Sequence, residues 1–100
     1  MRADTKQTIA SPVGAGGTFT YTGTAGVSGT LPTGISGVMI WGTTDMYVVL
    51  GVGVSATTAN WPIPSFTPVF IPNLNEVGGN VVVSAIQISA GGSAYYQPMA

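Results

Sequence analysis

Val81-Val82-Val83-Ser84-Ala85-Ile86-Gln87-Ile88-Ser89, followed by Ala90-Gly91-Gly92-Ser93 and Ala94-Tyr95-Tyr96-Gln97, is the stretch that decides the fold. Its first nine residues alternate, with Val82, Ser84, Ile86 and Ile88 on one side and Val83, Ala85, Gln87 and Ser89 on the other. That period of two belongs to a β-strand and not to a helix. The two glycines in the next four residues suit a primed hairpin turn with positive φ, so the pattern predicts that the chain returns as Ala94 to Gln97 and closes a hairpin.

The same reading extends outward from this segment. Thr18-Phe19-Thr20-Tyr21-Thr22 alternates aromatic residues with threonines, which places Phe19 and Tyr21 on one face and the hydroxyls toward water. Val38 to Trp41 and Met46 to Val54 are apolar runs separated by Gly42-Thr43-Thr44-Asp45, and the spacing predicts that they pair through a turn. The consecutive apolar positions of the second run predict a central strand buried on both faces, with Gly51 and Gly53 allowing a bulge. Thr67 to Ile71 lies between Pro68 and Pro72, which predicts an edge strand. Gly78-Gly79-Asn80 reads as a loop, Ala25 to Ser36 as a loop with one short strand, and Ala56 to Ser65 as a rigid extended connection.

No window sustains apolar residues at helical spacing, and 15 glycines and 7 prolines are scattered through 100 residues. Six or seven short strands therefore predict a single all-β domain, a compact antiparallel β-sandwich or small barrel of jelly-roll-like form, over residues 14–100. The first thirteen residues lack periodicity, hold both bases and end at Ser11-Pro12 before Gly14-Ala15-Gly16-Gly17. They read as an extended N-terminal arm joined to the domain by a flexible glycine segment.

Charge is the most informative part of the composition. Charged residues make up 5% of the chain, against about 25% in ordinary soluble domains. Three of the five, Arg2, Asp4 and Lys6, fall in the first six residues, and the body from Gln7 onward has two acids, Asp45 and Glu76, and no base. A phosphate backbone or an anionic lipid surface needs several cations to hold it, which argues against nucleic acid and membrane partners. Residues 1–10 lack the apolar core of a signal peptide, and the longest apolar run, Met46 to Val54, is about half of a membrane-spanning helix.

The inventory for catalysis is nearly empty: no histidine, no cysteine, one lysine and three carboxylates. General acid–base work, an activated serine and a tightly held metal each need groups that are missing, so no catalytic, cofactor-binding or metal residue is expected. Asp45 reads as a turn residue and Glu76 as the solvated side chain of a loop, in preference to a glycosidase-like pair.

A body so poor in charge has little to prevent edge-to-edge association and is expected to be covered by other polypeptides, with homo-oligomers among the outcomes. Trp61, in the proline-stiffened Asn60-Trp61-Pro62-Ile63-Pro64, is a candidate interface anchor. Tyr95 and Tyr96 are adjacent on a strand and point to opposite faces, so one of them lies outside the core of its own subunit. In the arm, Arg2 and Lys6 are candidates for pairing with acids on a neighbour, with the arm adding a strand to a sheet edge.

The charge-poor body rich in Gly, Thr, Ser, Ala and Val, its polar arm, and the stretch from Val83 to Tyr96 resemble the small virion proteins of tailed bacteriophages. The resemblance implies a structural role on the capsid surface, as a decoration or cement protein that binds the major capsid protein or other virion subunits and is made in the host cytoplasm without a signal peptide. Two rival readings follow from the residues. One is a tail or spike module that recognises a glycan through Trp61 and a tyrosine, and the other is a filament subunit that polymerises by strand exchange through its arm.

Overall fold

The computed structural model describes residues 11–73 and 81–100. Among them are eight strands and no helix: β1 (Gly17–Tyr21), β2 (Gly26–Val27), β3 (Gly37–Gly42), β4 (Met46–Val52), β5 (Trp61–Ile63), β6 (Val69–Pro72), β7 (Val81–Gln87) and β8 (Gly92–Met99). They form two four-stranded sheets, ordered β1-β8-β3-β6 and β2-β7-β4-β5, in which every pairing is antiparallel. The expected β-sandwich is therefore present, as two separate sheets and not as a closed barrel.

The core forms where the inward positions of the two sheets meet. Val38 and Ile40 from β3, Ala94 from β8 and Tyr21 from β1 face Met46 and Val48 from β4, Val81, Val83 and Ala85 from β7, and Ile63 from β5, all of them buried. The alternation expected for β1 holds, with Tyr21 buried, Phe19 half-buried and Thr18 and Thr20 exposed. In β7 the side carrying Val83 and Ala85 faces the core. Ser84, on the other side, is also buried, because its hydroxyl donates to the Gly26 carbonyl at 2.7 Å and accepts from the Ala56 N–H at 2.9 Å. Residues 53–56 thus fold over the outer surface of β7, which a strand pattern alone does not reveal.

Two expected hairpins are absent. β3 and β4 belong to opposite sheets, as do β7 and β8. The links between them are arches that cross the sandwich, and neither Gly91 nor Gly92 has positive φ. The physical reason lies in what satisfies the two links. They lie side by side: the Thr43 N–H donates to Ser93 O at 3.0 Å, the Ser93 N–H to Thr43 Oγ1 at 3.0 Å, Thr44 Oγ1 to Ala90 O at 2.8 Å, and the Ile88 N–H to Asp45 O at 3.2 Å. Each crossing supplies the hydrogen bonds that a tight turn would have made within itself.

Tyr21 anchors the β3–β4 arch, which Thr44 ties in turn to the β7–β8 arch. Its ring is 1% exposed, and its hydroxyl donates to Thr44 O at 2.8 Å, accepts from the Thr44 N–H at 3.2 Å and lies 2.9 Å from Thr44 Oγ1. The space for this hydroxyl exists because Gly42 and Gly92 have no side chains: a β-carbon would come within 2.6 Å of the Tyr21 hydroxyl at Gly42 and within 2.9 Å of it at Gly92.

Two further expectations need correction. β4 is an interior strand, as predicted, but it alternates, with Met46 and Val48 buried and Tyr47 and Val49 only half-buried, and it ends at Val52 before Gly53 at φ 61°. Its apolar run is thus not buried on both faces. The connection Ala56 to Ser65 contains β5, which pairs with β4 and forms an edge of its sheet. β6 is the edge strand that its flanking prolines imply. The loop expected at Gly78-Gly79-Asn80 lies outside the described residues, as do Arg2 and Lys6. Of the proposed arm, Ser11 and Ala100 exchange two backbone hydrogen bonds of 2.7 and 2.9 Å, and the Val13 N–H donates to Pro98 O at 3.0 Å. This segment therefore runs beside the end of β8.

Candidate interaction surface

The outer face of the β1-β8-β3-β6 sheet carries the residues that the core does not take. With Val38 and Ile40 turned inward, Met39 and Trp41 of β3 project outward, and with Ala94 inward, Tyr95 of β8 does the same. Trp41 and Tyr95 are direct cross-strand partners, and their rings stack at 4.5 Å between centroids and 18° between planes. Phe66, just before β6, adds a third ring at 5.6 Å and 32° from Trp41. β8 and the Phe66 segment flank β3 on opposite sides, so Trp41 stands between two aromatic neighbours in a column that runs across the strands.

Phe66 is held there at some cost. Its φ is 55°, a left-handed conformation that a bulky residue rarely adopts, yet its ring is 66% exposed. Its N–H donates to the Gly42 carbonyl at 2.7 Å, which fixes the backbone against the end of β3. Asp45 secures the same loop by accepting the Ser65 N–H at 2.8 Å. A strained backbone that displays an aromatic ring points to a use for that ring outside the subunit.

Beside the column, Met39, Trp41, Pro68, Tyr95 and Gln97 border a shallow hollow of about 260 Å³. The Gln97 amide does not face a ligand there. It donates to the carbonyls of Val13, Gly14 and Pro98 at 3.1–3.3 Å and so holds the segment before β1 in place.

The sequence-derived candidates distribute as follows. Tyr95 is 41% exposed in the column, whereas Tyr96 turns inward, packs on the core and meets Phe19 at 6.0 Å, so the adjacent tyrosines do split between faces. Trp61 is 65% exposed on β5, at an edge of the other sheet, where it borders a separate cleft of about 580 Å³. The structure does not bring Trp61 and Tyr95 together. Trp41, which ends the apolar run that starts at Val38, is on the outer face, and Phe66 and Phe70 are not among the residues that the sequence singles out. The alternation of Trp41 with Val38 and Ile40 was visible, but its partnership with Tyr95 requires the β3–β8 register.

Asp45 is the one charged side chain among the described residues, and no group of three or more His, Cys, Asp or Glu gathers among them to hold a metal ion. Its single mapped role is the hydrogen bond to Ser65. Asp45→Asn, which keeps an acceptor, is expected to change unfolding stability by less than about 1 kcal/mol, and Asp45→Ala to cost roughly 0.5–1.5 kcal/mol. Urea titrations of both variants check this. Comparisons with protein-family models, curated proteins and solved structures find no match for this chain.

Proposed function

We propose that this protein is a non-enzymatic structural subunit of a virion, a capsid decoration protein that docks on the major capsid protein through the outer face of the β1-β8-β3-β6 sheet. The observation that carries the docking part is the Tyr95–Trp41–Phe66 column. Clustered aromatic rings on a face whose described residues carry no charged side chain are what the centre of a protein interface is made of, and their burial against a partner removes apolar surface from water. The virion and its capsid come from the resemblance in composition and in the stretch from Val83 to Tyr96.

The ring geometry favours a protein partner over a glycan at this face. A sugar stacks on an open ring face, and Trp41 already has Tyr95 stacked on it and Phe66 tilted against it.

The test mixes the purified full chain with capsids that lack it. The chain is expected to co-sediment with the capsids in a saturable manner and to raise their thermal resistance. Retention on host polysaccharide, with no capsid binding, would replace this reading with the glycan module.

A further inference from the structure

The two lateral sides of the sandwich are built differently. On one, β2 approaches β1 so closely that Gly26 rests against the Thr20 carbonyl, in a space where a β-carbon does not fit. On the other, the edge strands β5 and β6 of opposite sheets leave between them the cleft of about 580 Å³, whose walls include Val48, Leu50, Trp61, Val69 and Ile71.

An open side of a sandwich ordinarily invites an added strand, which pairs with the free backbone of the edges. The backbone alternation shows that this side offers few N–H donors for such pairing. The hydrogen bond from the Ile88 N–H to Asp45 O sets which residues of β4 face β7, and the register then directs Trp61 and Ile63 toward β4. The outward positions are Asn60, Pro62 and Pro64. The Asn60 N–H already donates to Thr57 O at 3.1 Å, and the prolines have no N–H to offer.

For β6, the bond from the Asn73 N–H to Ser36 O directs Val69 and Ile71 toward β3 and turns positions 68, 70 and 72 outward. Two of these are Pro68 and Pro72. Four of the seven prolines in the chain therefore stand where an incoming strand would seek a donor, and Phe70 alone of the three outward positions on β6 keeps an N–H. An added strand therefore gains few hydrogen bonds here, which leaves side chains to fill the cleft.

The same patch supplies a side chain of the right kind. Trp61 is a large, projecting, apolar ring beside a hollow, and a projection next to a hollow on one surface is the self-complementary arrangement that a two-fold axis requires. None of the described residues lining the cleft is charged, so these side chains set no like charges against each other when two copies meet. We infer that the β5–β6 side is a self-association surface, on which two copies pair about a two-fold axis and the Trp61 ring of each covers the cleft of the other. This surface is distinct from the aromatic column and does not depend on the virion reading.

The contact is small, because a sandwich edge is about 10 Å thick and β5 and β6 are short. It falls at the lower end of specific interfaces, below roughly 1,200 Å² in total, so the pairing is concentration-dependent. Sedimentation equilibrium of the full chain from about 1 μM to about 1 mM spans the relevant range. A reversible monomer–dimer equilibrium is expected. Trp61→Ala should weaken it by at least about 10-fold, Trp61→Lys should abolish it by setting a cation against its own image, and Trp41→Lys should leave it unchanged. Melting curves matching the parent would show that the Trp61 variants remain folded. A strict monomer at every concentration, or dimers equally strong in both Trp61 variants, would overturn the inference, and trimers or higher species would overturn its two-fold form.

Discussion

Tyr21→Ala is expected to be the most damaging single substitution in the described part of the chain. Removal of a fully buried aromatic ring costs roughly 3–5 kcal/mol, and here the ring also delivers the hydroxyl that the Thr44 N–H, carbonyl and side chain all approach within 3.2 Å. Against a total stability of roughly 5–15 kcal/mol for a small domain, the variant should lose most of its cooperative transition or melt about 15–30 °C lower. Tyr21→Phe separates the two contributions: it keeps the packing, deprives Thr44 of its partner, and should cost roughly 1–3 kcal/mol. Thermal melts of both variants give the comparison. A loss below about 1 kcal/mol for Tyr21→Ala would show that the arches hold without this anchor.

The second large effect concerns docking and not folding. Trp41→Lys replaces the middle ring of the column by a flexible cation on an outer face, where the fold has little to lose. Truncation of an interface anchor costs about 2 kcal/mol or more, so under the proposed docking capsid affinity should fall by roughly 30-fold or beyond, since each 1.4 kcal/mol is a factor of ten. Trp41→Phe should keep most of the binding, because a ring still fills the space between Tyr95 and Phe66. Titration of capsids with the parent and both variants, alongside melting curves, distinguishes lost docking from lost structure. Unchanged capsid binding by the Trp41→Lys protein would remove the column from the interface.

The sequence was informative where the deciding interaction is local. Period-two alternation within Gly17–Tyr21 and Val81–Gln87 follows from the pleat alone, and the edge position of β6 follows from the missing donors of its prolines. Pairing was not local. Gly42-Thr43-Thr44-Asp45 and Ala90-Gly91-Gly92-Ser93 have hairpin composition, and nothing within either one shows that its polar groups are satisfied by the other, some 46 residues away for Thr44 and Ala90. The same limit governs the site. Tyr95 and Trp61 could be singled out from neighbouring residues, whereas the column joins Trp41 to residues 25 and 54 positions further along and exists only once strand register is set.

The hydrogen-bonded contact of Ser11 with Ala100 has a topological consequence. Residues that are distant in sequence come to one pole of the sandwich, so the order in which the strands are synthesised is separable from the order in which they pack.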